Sequence, residues 1–159
     1  AAVNGYAIGG GQVLHVVCDL SIAAEHAVFG QACPRVGSFD AGFGTAYLAR
    51  IVGARRAREI WFLCRRYSAQ EMKDWGLVNA VVPFDRLHDE VRAWADEMLA
   101  LSPTALKIVK HSFNADSESI AGISAMAFDA LGVFTGTPES KEGVDAFVNK
   151  RTPNFKDFR

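Results

Sequence analysis

Gly5-Tyr6-Ala7-Ile8-Gly9-Gly10-Gly11-Gln12-Val13-Leu14-His15-Val16-Val17-Cys18-Asp19, residues 5–19, is the stretch that decides the fold. An apolar β-type run, Ala2-Val3 and then Tyr6-Ala7-Ile8, meets three glycines, and a helical pattern follows at once. Glycines at a strand-to-helix turn let the backbone approach a ligand and leave amide N–H groups pointing at it. The helix dipole adds partial positive charge there. Such a turn suits a phosphate, or an oxyanion that develops during a reaction. The alternative is a tight turn that holds nothing. Two nucleotide motifs are excluded: there is no Gly-x-Gly-x-x-Gly, and no Lys-Ser or Lys-Thr follows the glycines.

Outward from that turn, the first half alternates strands and helices. A strand at 2–8 leads into a helix over 10–17, then strands over 20–23 and 27–29. The segment 32–43, with Pro34, Gly37 and Gly42, reads as a functional loop. Helices follow over 45–52, stopped by Gly53, and over 54–65. Ser68-Ala69-Gln70-Glu71 is a capping box for a short helix that ends at Trp75-Gly76, and 77–82 is a strand closed by Pro83. Beyond Pro83 the texture is helical only. Asp85 caps one helix, Ser102-Pro103 opens a second, and Thr137-Pro138-Glu139 opens the last, which runs to Arg151. Between them 120–134 is apolar nearly all round, which predicts burial against another subunit.

The chain has 159 residues, half of them hydrophobic, with 17 basic and 18 acidic side chains and a net charge of −1. No global field favours nucleic acid or an anionic membrane. Cys18, Cys33 and Cys64 are odd in number and lack metal-ligand spacing, which fits a reducing cytoplasm and argues against a metal site. No apolar run is long enough to span a bilayer.

Asn4-Gly5-Tyr6-Ala7-Ile8-Gly9-Gly10-Gly11, Cys18-Asp19-Leu20, Phe29-Gly30-Gln31 and Gly76-Leu77-Val78-Asn79 with Val81-Val82-Pro83 resemble, in order and spacing, the crotonase (enoyl-CoA hydratase/isomerase) superfamily. The resemblance covers the chain to about Phe158. Val36-Gly37-Ser38-Phe39-Asp40 and Ala57-Arg58-Glu59-Ile60-Trp61 look most like its 1,4-dihydroxy-2-naphthoyl-CoA synthase branch. The ring-opening 2-ketocyclohexanecarboxyl-CoA hydrolases are similar at Arg66-Tyr67-Ser68 and Ser102-Pro103-Thr104-Ala105-Leu106. The resemblance implies an α/β fold. Residues 1–84 would be the second half of a ClpP/crotonase spiral core, and 85–159 a C-terminal all-helical region that builds a homotrimer or a dimer of trimers. Family chains carry a further stretch ahead of the glycine turn, so a missing N-terminal half is expected. Without it the fragment should be inactive.

The resemblance also assigns roles. Acyl-CoA chemistry needs an enolate oxygen stabilised by two backbone N–H donors, each worth about 3–4 kcal/mol of barrier. The donor in this half would be the amide of Gly10. Hydratases of the superfamily place glutamates where this chain has Val13 and Cys33, which argues against hydration and for making or breaking carbon–carbon bonds. Ser38 and Asp40 match proton-handling residues of the ring-forming enzymes, the serine hydrogen-bonded near the aspartate; desolvation would raise the pKa of Asp40. The alternative for Asp40 is an Asx turn that bonds the loop backbone. Gln31 and Trp61 match residues that hold a bicarbonate acting as base. Cys33 stands where that class has glycine and another class has aspartate; its side chain either fills the anion's space, which argues against bicarbonate, or serves as an activated thiolate, or packs as a thiol. Thr135 replaces a tyrosine that contacts substrate from a neighbouring subunit. Phe147 and Lys150 match positions that contact a neighbouring subunit's coenzyme A, which enters as part of the substrate; no tightly bound cofactor is expected. A different class, a non-catalytic scaffold or RNA-binding member, is disfavoured by the near-neutral charge and by retention of Ser38 and Asp40.

Overall fold

In the computed structural model, residues 1–40 and 42–159 are described, and they form two small sheets crossed by eight α-helices. Strands β1 (Ala2–Val3), β3 (Ile22–Ala24) and β6 (Ala80–Val82) make one sheet, parallel throughout in the order β1-β3-β6. Strands β2 (Tyr6–Ile8), β4 (Val28–Gly30) and β5 (Arg66–Ser68) make the other, with β2 and β4 parallel and β4 and β5 antiparallel. The expected single strand at 2–8 is therefore two. Asn4-Gly5 passes the chain from one sheet to the other, and the same happens between β3 and β4.

The helices are α1 (Gly10–Val16), α2 (Gly44–Val52), α3 (Ala54–Leu63), α4 (Ala69–Asp74), α5 (Leu87–Leu99), α6 (Pro103–Ala115), α7 (Ala121–Phe134) and α8 (Pro138–Val148). Local signals explain most boundaries. Gly53 separates α2 from α3. Ser68 and Glu71 form the reciprocal capping box of α4. Ser102 and Thr137 cap α6 and α8 through Ala105 N–H and Ser140 N–H. Several expected boundaries move: α8 ends at Val148 rather than Arg151, and β6 begins at Ala80 rather than residue 77. The α3 helix stops at Leu63 rather than at residue 65, because Cys64 turns left-handed and β5 begins at Arg66. Asp85 caps nothing: it lies in a single 3-10 turn, 84–86, that precedes α5.

The core sits between the sheets and helices α2–α4, around fully buried Phe29, Leu48, Ile60 and Met72. A smaller cluster holds α5 through Leu87 against Ile22 and Ala24. The later helices lean back on the first half. Tyr47 Oη donates to Ser117 Oγ, and Lys110 pairs with Asp19. On α7, Ala127 is buried while Ile123, Met126, Phe128 and Val133 face outward. No single helix among the described residues is long and apolar enough to cross a membrane.

Candidate active site

Gly9 turns the chain from β2 into α1 with φ 57° and ψ −120°, a backbone that a side chain makes strained. Its N–H donates to Gly30 O at 3.1 Å, which ties the turn to β4. Val13 N–H is the first to close a helical bond, onto Gly9 O at 3.0 Å. The N–H groups of Gly10, Gly11 and Gln12 are thus left at the open end of the helix. Gly10 is exposed, and Val13 follows it by one helical turn.

Val13 faces the loop that carries the other candidates. A Cβ placed on Gly44 would lie 2.7 Å from Val13 Cγ2, 3.2 Å from Asp40 Oδ1 and 3.3 Å from Trp61 Cζ2. Valine, carboxylate and indole therefore meet over one glycine at the start of α2. Glycine there leaves room for all three. Asp40 Oδ1 accepts from Gly42 N–H at 3.0 Å and Oδ2 from Thr45 N–H at 2.6 Å. Both oxygens are turned toward the first turn of α2, whose dipole favours the negative charge. This is the Asx-type arrangement, and Asp40 makes it while half-buried beside Val13. Ser38 is close in the chain, but among the described residues its hydroxyl makes no hydrogen bond to Asp40; only its N–H is engaged, on Cys33 O at 2.8 Å.

Among the described residues, three buried side-chain donors have no hydrogen-bond partner: Gln12 Nε2, Gln31 Nε2 and Trp61 Nε1. Leaving such a group unmade costs about 1–3 kcal/mol. Gln31 is fully buried and Trp61 is 5% exposed, so solvent does not satisfy them. Cys33 Sγ lies 4.0 Å from Gln31 Oε1. Burial pushes the Cys33 thiol up, and the negative charge of Asp40 adds to the effect. That direction works against a thiolate base at Cys33 and suits a packed thiol.

The loop 33–40 is fixed from the far end of the chain. Gly37 adopts φ 67°, and a Cβ there would lie 2.6 Å from Ser140 O. Ser140 Oγ donates to Gly37 O at 2.8 Å, and Gly143 sits against the backbone of Val36 and Gly37. Helix α8 thus rests directly on the segment that carries Cys33, Ser38 and Asp40. Phe147, Lys150 and Arg35 border a hollow of about 250 Å³ beside this contact. The structure places Phe147 and Lys150 next to the loop of their own chain. Thr135 lies apart, exposed at the end of α7, with its hydroxyl donating to Leu131 O at 2.7 Å.

Sequence reasoning missed a buried polar chain behind α1. His15 Nδ1 lies 3.3 Å from Gln12 Oε1, and its Nε2 lies 2.5 Å from Ser21 Oγ. Burial pulls His15 down to about 4, so the imidazole is neutral. Gln12 Oε1 can only accept; Nδ1 therefore carries the proton and Nε2 accepts from the serine hydroxyl. No spacing rule marks such a chain in sequence. Among the described residues no group of three His, Cys, Asp or Glu side chains is placed to hold a metal ion.

A family model described as enoyl-CoA hydratase/isomerase matches residues 1–158. Among solved structures, an enoyl-CoA hydratase from Mycobacterium avium subsp. paratuberculosis K-10 is 34% identical over 96% of this chain and 63% of its own length, with a TM-score of 0.90. A carnitinyl-CoA hydratase from Mycobacterium avium is 27% identical, covering 99% and 62%, with a TM-score of 0.89. A methylmalonyl-CoA decarboxylase is 25% identical, covering 97% and 61%, with a TM-score of 0.83. The chain thus spans less than two thirds of the length of these proteins.

Proposed function

The chain belongs to the enoyl-CoA hydratase/isomerase family, and from that premise we propose that it binds an acyl-CoA thioester, stabilises its enolate and closes a ring on it. Closure joins the α-carbon to a second carbonyl carbon of the same acyl group and expels water, as in 1,4-dihydroxy-2-naphthoyl-CoA synthases. The observation that carries this reading is Val13 against Asp40 over Gly44. Adding water to a double bond calls for two proton-transferring groups near the α- and β-carbons. Here one carboxylate faces an aliphatic side chain.

In this reading Gly10 N–H receives the developing enolate oxygen. Asp40 moves the proton, with Ser38 beside it. The unpartnered N–H groups of Gln31 and Trp61 take a second oxygen, either a substrate carbonyl or a small anion such as bicarbonate. Coenzyme A arrives with the substrate, and Phe147 and Lys150 suit its adenine and phosphates. The outward apolar face of α7 supports assembly into trimers or dimers of trimers, with Thr135 at the end of that face. The ring-opening alternative uses the same residues, and the assay separates the two.

The test is mass spectrometry of CoA thioesters after incubation of the full-length protein with o-succinylbenzoyl-CoA, 2-ketocyclohexanecarboxyl-CoA and crotonyl-CoA. Loss of water from the first is expected. Gain of water by the second would move the protein to the hydrolase branch. Gain of water by crotonyl-CoA would refute the argument from Val13. Asp40→Asn should slow the reaction by about 10²–10⁴-fold; equal turnover would remove Asp40 from the mechanism.

A further inference from the structure

Two features remain outside the site: the sequence word Gly76-Leu77-Val78-Asn79 and the buried His15. In the structure they meet. Ser21 donates through its hydroxyl to His15 Nε2 at 2.5 Å. Its backbone N–H donates to Asn79 Oδ1 at 2.8 Å, and Asn79 N–H donates back to Ser21 O at 2.8 Å. An unbroken run of polar contacts thus leads from Gln12 on α1, through the residue ahead of β3, to the residue ahead of β6. Hydroxyl, imidazole and amide stand in the order of a nucleophile with its base and orienter. Ser21 is only 5% exposed, however, so no substrate reaches it.

The run fixes α1 at its far end. At the near end Gly9 N–H binds Gly30 O, in the β2-β4-β5 sheet. At the far end His15 is tied to Ser21, which leads into the β1-β3-β6 sheet. The His15 ring also lies 5.2 Å from the Phe29 ring of β4. A helix this short has little rigidity of its own. Its orientation is set by these attachments, one to each sheet, and it cannot slide or rotate without breaking one of them.

We propose that His15 and Ser21 are positioning residues, which hold α1 in the orientation that aims the Gly10 N–H at the thioester oxygen. The proposal rests on the reading of Gly10 as an oxyanion donor. It gives the otherwise unused Asn79 word a purpose, which is to anchor Ser21 from behind.

The test uses acetoacetyl-CoA, a β-keto thioester whose enolate absorbs in the near ultraviolet, with the full-length protein. Ser21→Ala removes the hydroxyl and Ser21→Thr restores it. At saturating probe, Ser21→Ala should lower the enolate band about tenfold or more, while the probe still binds. Ser21→Thr and His15→Gln should recover most of the band. A band equally strong in Ser21→Ala overturns the proposal. Amide exchange gives a second readout: Ser21→Ala should speed exchange at Val13 and Val17 while the β2–β4 amides stay protected. Unchanged exchange at Val13 and Val17 also overturns it. If the wild-type protein shows no band but exchange responds as expected, the anchoring of α1 is upheld and the donor reading of Gly10 is what fails.

Discussion

Gly143→Ala is the sharpest probe of how the site loop is held. The new Cβ would lie 2.6 Å from Gly37 Cα and closer still to Gly37 N and Val36 C, where ordinary contact begins at 3.4 Å. All three are backbone atoms, so no rotamer relieves the overlap. Either α8 or the loop must retreat by on the order of an ångström, because packed interiors hold no spare space. Overpacking of this kind costs about 1–3 kcal/mol. The retreat also stretches the Ser140 Oγ–Gly37 O bond, now 2.8 Å, whose loss adds about 1 kcal/mol. For a chain of this size each kcal/mol lowers Tm by about 2–4 °C. Thermal unfolding and acyl-CoA turnover should be measured on the same preparation. Turnover should fall further than stability does, by about 100-fold for an ångström of misplacement at the reacting centre. Ser140→Ala serves as the milder companion, losing the hydrogen bond without the steric push. A Gly143→Ala protein with wild-type Tm and wild-type turnover would refute the idea that α8 sets the loop.

Two further outcomes follow from buried polar groups. His15 has a folded pKa of about 4 against 6.5 unfolded, so the unfolded chain binds the proton more tightly. Its contribution is complete above pH 6.5 and is lost as the pH falls toward 4, amounting to about 3 kcal/mol at 1.36 kcal/mol per pH unit. Urea titrations across that range should show the slope in the wild type and a flatter profile in His15→Gln; equal slopes would remove His15 as the cause. Trp61→Phe deletes an unpartnered buried donor while keeping the ring. It should raise the stability of the unliganded protein by about 1–3 kcal/mol and abolish turnover. A variant that is both destabilised and fully active would show that Trp61 Nε1 faces no ligand.

The parts of the molecule legible in the sequence are those with local causes. Gly53, the Ser68–Glu71 box, Ser102-Pro103 and Thr137-Pro138 act within one turn of helix, and the elements begin and end beside them. Strand β5 was hidden because its partner β4 lies far back in the chain and its only local sign, a left-handed Cys64, has no glycine to announce it. The break at Asn4-Gly5 was hidden for a related reason: periodicity records which residues are apolar and not which sheet receives them. In the site, Gln31, Cys33, Asp40 and Trp61 are candidates from motif resemblance and Val13 marks an absent glutamate; Val13, Asp40 and Trp61 converge over Gly44, while Cys33 stands by Gln31. What the motifs did not carry was the support behind them. The Gly37–Gly143 contact and the Gln12–His15–Ser21–Asn79 run join positions distant in sequence through backbone proximity and burial, and neither leaves a pattern.

The contact between Ser140 and Gly37 bridges 103 positions of the chain. During synthesis the strands and the helices up to α4 can pair as they emerge, since their partners are already present. The loop with Asp40 meets α2 early, through Gly42 and Thr45 N–H, but lacks its clamp at Gly37 until α8 has left the ribosome. Chains stalled or clipped before residue 140 would keep much of their apolar core yet lack a finished centre. The final setting of the Asp40 loop is thereby coupled to the arrival of α8, and a tag or fusion placed against α8 would disturb a point far from it in sequence.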